Sequence, residues 1–114
     1  ILFTYALGYV MDTYAIDALD KFHFDIVFTS CTSLSADGVY NSTLNAIYCK
    51  RLISRATTAV LVIDNSKLGN SSYYEFAKAT DFAHIIIDDQ IPIPQDLLQL
   101  LEGSNTKLTI VRCI

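Results

Sequence analysis

An apolar run, Ala59–Ile63, ends abruptly in the polar segment Asp64–Gly69. The acid Asp64 and the lysine Lys67 lie close together in this segment, and such a pair can hold a polar ligand through hydrogen bonds to the carboxylate and through the charge of the ammonium group. A second interpretation is that Asp64 caps a turn and that Lys67 is a solvated surface lysine. The local sequence fits both interpretations equally.

Two other apolar runs also end in polar residues. Small polar side chains follow one of them at Ser30–Ser33, and two acids follow the other at Asp88–Asp89. Ligands of open α/β sheets bind beyond the carboxyl ends of the strands, because the loops there turn polar groups toward a common point. We therefore predict a small polar-ligand pocket at Ser30–Ser33 and Asp64–Lys67, and we interpret Asp88–Asp89 as a turn outside it.

Two side chains of a predicted helix extend this ligand hypothesis. A sugar phosphate would be bound by the charge of Lys67 or Lys50, together with hydroxyl and backbone N–H groups. Sugar hydroxyls would be bound by carboxylates and amides, such as Asp64 and Asn45. The chain thus offers both charge and hydrogen-bonding groups for a polar anion.

Catalysis is a competing hypothesis for the same region. A nucleophile or a base needs an orienting partner, and the candidates are Asp64, Glu75, Asp37 and Cys31. No histidine lies beside a serine or cysteine in the sequence, and there is no glycine-rich phosphate loop. These features count against catalysis without excluding it, because partners that are distant in sequence can meet in space.

Strands and helices alternate along the chain, which is typical of an α/β fold with parallel crossovers rather than hairpins. Asp37–Gly38 predicts a turn, and Tyr73–Ala83 fits a short strand or a helix equally well. The predicted strands are Ile1–Tyr5, Asp25–Ser30, Ala59–Ile63, His84–Ile87 and Leu108–Arg112. The predicted helices are Gly8–Phe22, a helix from Ser42 or Thr43 to Arg55, and a helix from Pro94 through Leu101 that ends at Gly103.

The composition fits one compact domain, since 52% of the 114 residues are hydrophobic and 18% are charged. The net charge is −4 and the basic residues are scattered, so the chain by itself lacks the clustered Lys and Arg of a DNA-binding surface. The apolar runs are too short to span a bilayer and no signal peptide is recognisable, which predicts a cytoplasmic protein.

Disulfide and metal sites are not indicated by the sequence. The three cysteines lack CxxC spacing and their odd number argues against a disulfide framework. Such isolated cysteines are typical of small core residues. The two histidines have no neighbour at metal-ligand spacing, so we expect neither a metal nor a cofactor.

The order of these features resembles the C-terminal effector-binding domain of DeoR-type bacterial transcriptional repressors. The resemblance covers nearly the whole chain. Its most specific part is the strand that ends in Asp-x-Ser-Lys-x-Gly at Asp64–Gly69, with a Lys-Arg helix upstream at the expected distance. The matching segments are Gly8 with the helix after it, Asp25–Phe28, Asp37–Gly38, Ala46 with Lys50–Ile53, Ala59–Gly69 and Ile85–Asp89.

The resemblance implies a parallel-sheet α/β layer fold like that of ribose-phosphate isomerases, glucosamine-phosphate deaminases and CoA transferases. It implies that the domain binds a phosphorylated sugar or similar metabolite, and that binding changes how an N-terminal helix-turn-helix, absent from this chain, holds operator DNA. Residues 1–114 would be a single α/β domain, the latter part of such a sensor domain. A homo-oligomer is expected, since symmetric operators are met by symmetric proteins.

Carried over by position, the resemblance implies ligand-binding roles for Asp64, Lys67 and Lys50. It also places the turn of Asp37 and Gly38 near the mouth of the pocket. The helix position usually occupied by glutamate is Asn45 here, so a potential catalytic acid is absent. Because the family's first sensor portion, with its phosphate loop, is not in this chain, we expect these residues to form only part of the pocket.

Three functions follow as hypotheses from different classes. The leading hypothesis is an effector-sensing domain of a transcriptional repressor. The second is a sugar-phosphate isomerase or deaminase of the same fold, which turnover of such substrates would establish. The third is an α/β interaction domain without a small-molecule site.

Overall fold

The computed structural model describes residues 17–69 and 74–112, which form two sheets, two α-helices and a short helical segment at residues 17–19. The strands are β1 (Phe24–Thr29), β2 (Ser33–Ser35), β3 (Gly38–Asn41), β4 (Ala56–Val62), β5 (Tyr74–Ala77), β6 (His84–Asp88) and β7 (Lys107–Val111). The helices are α1 (Thr43–Ser54) and α2 (Gln95–Glu102), and short 3-10 turns lie at Asn65–Lys67 and Ala79–Asp81.

The larger sheet, here the main sheet, contains four parallel strands in the order β1-β4-β6-β7. Neighbouring parallel strands need a crossover connection, and α1 and α2 lie in two of these connections. The predicted α/β class with a parallel sheet is therefore confirmed. The four predicted strands that begin near Asp25, Ala59, His84 and Leu108 are also confirmed.

The smaller sheet is antiparallel, in the order β2-β3-β5. Strands β2 and β3 form a hairpin around a turn at Ala36 and Asp37. The prediction of parallel crossovers rather than hairpins is wrong for this part of the chain, because the Asp37–Gly38 turn joins two short strands that pair with each other. The segment that the sequence left open, Tyr73–Ala83, contains strand β5 followed by a 3-10 turn.

The buried core lies on one side of the main sheet. Side chains alternate between the two faces of a strand, and Ala59, Leu61 and Ile63 of the β4 segment point into the core together with Ile85 and Ile87 of β6. Helices α1 and α2 and the smaller sheet cover this side. Their core residues are Leu34, Val39, Ala46, Phe76, Ala77, Leu97 and Leu101.

The predicted helix bounds agree closely with the structure. Helix α1 begins after Ser42 and ends at Arg55, and α2 ends at Gly103. Pro94 occupies the N-cap position of α2, one residue before its first turn, and makes no side-chain capping bond. The predicted strand Ile1–Tyr5 and most of the first predicted helix lie outside the described residues, and residues 17–19 at the end of that helix are helical. Of the helices described, none has the length and apolarity needed to cross a bilayer.

Candidate functional site

The polar segment after β4 folds into a 3-10 turn that Asp64 caps. Asp64 Oδ1 accepts a hydrogen bond from the backbone N–H of Ser66 at 2.8 Å and another from the Ser66 hydroxyl. The hydroxyl bond first, and then the backbone bond, lower the pKa of the Asp64 carboxyl below its ordinary value. Asp64 is therefore an exposed carboxylate held in a fixed position at neutral pH.

Asp88, at the end of β6, lies beside this turn. The side-chain amide of Asn65 donates to Asp88 Oδ1 at 2.5 Å, and this bond is the main reason that the pKa of Asp88 is lowered. The predicted turn at Asp88–Asp89 begins one residue later in the structure, because Asp88 is the last residue of β6. Strands β4 and β6 are parallel neighbours, so their carboxyl ends meet at one edge of the main sheet, which we call the carboxyl edge.

Lys67 is half-buried at the same edge and acts electrostatically on Asp64 and on Cys31. Burial raises the pKa of the Cys31 thiol to about 12, although the Ser33 backbone N–H and the Lys67 charge oppose this effect. Since the thiolate is the nucleophilic form, Cys31 is not an activated nucleophile here. The ammonium group of Lys67 is instead available to attract an anion.

Two buried hydroxyl groups lie in the segments that lead into and out of Cys31. Thr29 is the last residue of β1, and Ser33 is the first residue of β2. Neither Thr29 Oγ1 nor Ser33 Oγ has a hydrogen-bond partner among the described residues. Buried polar groups in proteins nearly always have a partner, so these two hydroxyls can accept or donate a bond to a ligand or to water. Ser33 was in the predicted polar segment, whereas Thr29 was missed because it lies within the strand.

The turn after β4 is tied to the hairpin of the smaller sheet. Leu68 forms an isolated bridge with Leu34, and the backbone N–H of Gly69 donates to the Leu34 carbonyl at 2.9 Å. Gly69 adopts a φ of 96°, which a residue with a side chain rarely adopts. The Asp-x-Ser-Lys-x-Gly pattern therefore ends in a glycine because the chain must turn sharply to make this contact.

Asp37 and Gly38 lie at the other end of the same hairpin. Lys78 Nζ donates to the backbone carbonyl of Asp37 at 2.9 Å and forms an ion pair with Glu75 at 2.7 Å. A Cβ on Gly38 would lie 2.9 Å from the carboxyl carbon of Glu75, so the glycine allows the acid to approach.

Lys50 lines a shallow depression on the surface of the molecule. Glu75, Lys78 and Asp81 also line the depression, and Asp64 and Lys67 do not. The described structure thus separates the predicted site residues into two groups. One group is at the carboxyl edge, and the other surrounds Glu75.

Asn45 lies half-buried in the first turn of α1, which contains no acidic residue. The start of this helix is held by Asn41, whose Oδ1 accepts from the Ser42 backbone N–H at 3.0 Å. The amide group of Asn41 also donates to Cys49 Sγ at 3.9 Å. Sequence reasoning missed Asn41, because nothing in the local pattern distinguishes it from an ordinary turn residue.

The carboxyl edge therefore combines fixed carboxylates, the half-buried residue Lys67 and buried hydroxyls. These groups suit the binding of a polar ligand. They do not form a nucleophile with an adjacent base, since Cys31 holds its proton. Across residues 17–69 and 74–112, no group of three or more His, Cys, Asp or Glu side chains is arranged to hold a metal ion.

Comparison with known proteins places these features in a family. The model of the DeoR C terminal sensor domain matches residues 6–89. The chain is also 28% identical over 96 residues to an uncharacterized HTH-type transcriptional regulator, YulB, of Bacillus subtilis (strain 168). That match covers 82% of this chain and 36% of the relative, so the chain spans little more than a third of the regulator's length. The chain belongs to the DeoR C-terminal sensor domain family.

Proposed function

We propose that this chain is the effector-sensing part of a DeoR-type transcriptional repressor and that its ligand is a phosphorylated sugar or a related metabolite. The observation that carries the proposal is the meeting of Asp64, Lys67 and Asp88 at the carboxyl edge of the main sheet. The Lys67 ammonium group would bind the phosphate. The two carboxylates would accept hydrogen bonds from sugar hydroxyls.

The proposed ligand needs hydrogen bonds as well as charge. The hydroxyls of Thr29 and Ser33 are buried and lack a partner among the described residues, so a bound ligand would satisfy them. Asn45 adds an amide at the start of α1, where the helix dipole favours anions. Lys50, Asp37 and Gly38 belong to the second group of residues, and we propose that they bind outer parts of the ligand.

An isomerase or deaminase reaction is disfavoured by the same residues. Such reactions move protons, and the first turn of α1 carries Asn45 in place of the family's glutamate. Cys31 is protonated and cannot take over the role of a base or a nucleophile. We therefore propose a binding domain rather than an enzyme, and turnover of ribose or amino-sugar phosphates by the protein would contradict this.

In the proposed mechanism, the ligand shifts the repressor between a DNA-binding state and a released state. It can do so only by as much as its affinity differs between the two states. We propose that DNA is held by a separate helix-turn-helix segment, and the similarity to an HTH-type transcriptional regulator supports this. We also propose a homo-oligomer, because a two-fold symmetric operator is matched by a symmetric protein.

Thermal unfolding in the presence of a panel of phosphorylated sugars tests the proposal. A ligand at a hundred times its dissociation constant should stabilise the chain by about 2.7 kcal/mol, which raises the melting temperature. Lys67→Ala should weaken binding at least about tenfold, since a hydrogen bond to a charged group contributes about 1.5–3 kcal/mol. Lys21→Ala is the matched control, because Lys21 is exposed and lies away from the carboxyl edge.

Two outcomes would contradict the proposal. One is the absence of any melting shift with the panel, both for this chain and for the complete regulator. The other is an equal shift in wild type and Lys67→Ala, which would place the ligand elsewhere. A ligand that shifts melting should also change the affinity of the complete regulator for operator DNA.

A further inference from the structure

A small, mainly aliphatic pocket lies beyond the carboxyl end of β6, where α2, β7 and the loop that joins β6 to α2 come together. Its volume is about 170 Å³. The aliphatic part of its lining consists of Ile91, Pro92, Ile93, Leu98 and Ile110, and the acids Asp88 and Asp89 form the polar part. Only Asp88 of these residues belongs to the proposed effector site.

The folded chain leaves part of this aliphatic lining exposed. Ile110 is 51% exposed, although the residue beside it on β6, Ile87, is only 2% exposed. Ile91 is 50% exposed, and Leu98 is half-buried on α2. Single exposed aliphatic residues are common on protein surfaces, but several that converge on one concave site are typical of a binding pocket.

The loop that forms one wall of the pocket is stiff. Its sequence, Ile91-Pro92-Ile93-Pro94, alternates isoleucine with proline. Proline fixes its own φ, and it also restricts the residue before it to an extended conformation. Pro94 has φ −53° and ψ 140°, close to the polyproline II conformation. A wall of this kind loses little conformational freedom when a group binds against it, which favours affinity.

The size of the pocket indicates the kind of occupant. An apolar cavity of about 150 Å³ can hold one benzene molecule, so this pocket of about 170 Å³ has room for one ring. Complete small-molecule sites have volumes of about 300–1,000 Å³, so the pocket is one part of a larger site. A stable protein partner would bury roughly 1,000 Å² or more, far beyond this pocket. The occupant is therefore one apolar group of a small molecule.

We propose that the effector carries an uncharged, apolar group of about the size of one ring and that this pocket binds it, an inference that rests on the proposed function. The pocket and the proposed effector site share Asp88, which lines the pocket and accepts a hydrogen bond from the Asn65 side-chain amide. Asn65 begins the same 3-10 turn that contains Lys67. One small molecule can therefore contact the turn and the pocket at the same time.

Charge determines the orientation of such an effector. Like charges repel, so the two acids of the pocket, Asp88 and Asp89, disfavour a phosphate group there. The Lys67 ammonium group attracts the phosphate instead. The effector class is therefore a phosphorylated sugar that carries an apolar ring, with its phosphate at Lys67 and its ring against Ile91 and Ile110.

Matched pairs of compounds test the inference by titration calorimetry. Each sugar phosphate of the melting panel is paired with its phenyl glycoside, for example glucose 6-phosphate with phenyl glucoside 6-phosphate. The phenyl glycoside should bind at least about tenfold more tightly than its parent, because a buried aromatic ring contributes that much to affinity. Equal or weaker binding of the phenyl glycosides would overturn the inference and leave the proposed function intact. If no member of any pair binds, the proposed function fails, and the inference fails with it.

Ile110→Asn should remove most of this preference and leave the affinity for the parent sugar phosphate unchanged, because it makes the pocket polar without changing its charge. Ile26→Asn is the matched control, since Ile26 has a similar exposure of 49% and lies on β1, at the other edge of the main sheet. It should keep the full preference. If Ile110→Asn fails to fold, Ile91→Asn makes the same test from the loop. A preference that neither pocket variant reduces would overturn the inference.

Toluene tests the pocket separately from phosphate binding. In methyl NMR spectra, added toluene should shift the resonances of Ile91, Ile93, Leu98 and Ile110 until they saturate, and it should leave the resonances of the exposed Ile26 unchanged. Saturable shifts at the four pocket residues would support the inference. Their absence would overturn it, even where a sugar phosphate binds to the protein.

Discussion

Asn65 lowers the pKa of a carboxyl group, Asp88, at the end of the neighbouring strand. Its side-chain amide donates to Asp88 Oδ1, and its backbone N–H lies 3.4 Å from Asp88 Oδ2. Hydrogen bonds to the charged form of an acid lower its pKa. The polar turn after β4 thus does more than present Asp64 and Lys67, because it also lowers the pKa of Asp88.

Removing the Asn65 amide should raise the pKa of Asp88 toward the ordinary value of 3.8. Since folding lowers this pKa, the bond contributes stability above pH 3.8, and that contribution is lost as the pH falls through the lower pKa of the folded state. Asn65→Ala should therefore lose less stability on acidification than wild type. Carboxyl chemical shifts followed by NMR measure the pKa, and unfolding at several pH values measures the stability.

The Asp64 carboxyl provides an internal control in the same spectra. Its pKa is lowered by Ser66 rather than by Asn65, so it should stay nearly unchanged in Asn65→Ala. Equal movement of both carboxyls would mean that the whole turn had rearranged. An unchanged pKa for Asp88 would contradict the assignment of its cause.

The sequence predicted the residues of the turn better than their partners. Asp64 and Lys67 follow directly from the end of an apolar strand. The contact between Asn65 and Asp88 joins the turn after β4 to the end of β6, and no local pattern shows which strands are neighbours. Thr29 was missed for a related reason, since its unpartnered hydroxyl depends on which groups surround it in the folded chain.

At the scale of elements, the start of α1 depends on the residue before its cap. Ser42 occupies the cap position, yet its side chain makes no capping bond. Asn41 is buried and binds both the Ser42 backbone N–H and the Cys49 sulfur. The side-chain amide of Asn41, the last residue of β3, thus joins this strand to the N-cap residue and to the middle of α1.

Asn41→Ala should destabilise the chain by about 1–3 kcal/mol, because it leaves buried polar groups without a partner. Ser42→Ala should cost less than the ~1 kcal/mol usual for a serine cap, since no capping bond is lost. Urea unfolding of both variants measures the difference. A larger loss in Ser42→Ala than in Asn41→Ala would contradict this account of the helix start.

The sequence predicted the long elements and missed the short ones. Helix α1 and the strands of the main sheet have enough residues for an apolar period to be recognisable. Strands β2 and β3 have three and four residues, and Leu34 and Val39 are buried by packing that the local pattern does not record. The sequence predicted the turn at Asp37–Gly38. It did not predict that this turn closes a hairpin, because the two paired strands were not recognised.

At the scale of the whole molecule, the two faces of the main sheet differ in how much apolar surface they expose among the described residues. Leu61 and Val62 are consecutive residues of β4 and point to opposite sides. Leu61 is fully buried, whereas Val62 is 42% exposed. Substitutions at Leu61 and Val62 therefore measure the contributions of the two faces to stability separately.

Leu61→Ala should destabilise the chain by about 2–5 kcal/mol, the range for an aliphatic side chain deleted from a packed core. Val62→Ala should cost far less, because the Val62 side chain is already 42% exposed. Thermal unfolding of both variants measures the difference, and a loss in Val62→Ala as large as that in Leu61→Ala would contradict this account of the two faces.

The order of strands in the two sheets has a consequence for synthesis of the protein. Strands β1 and β2 begin the two sheets, and each later described strand pairs with one that precedes it in the chain, since β4 joins β1, β6 joins β4, β7 joins β6, and the smaller sheet adds β3 to β2 and β5 to β3. Domains emerge from the ribosome with the N-terminal end first. Each of these five later strands therefore meets a pairing edge that the earlier part of the chain has already made.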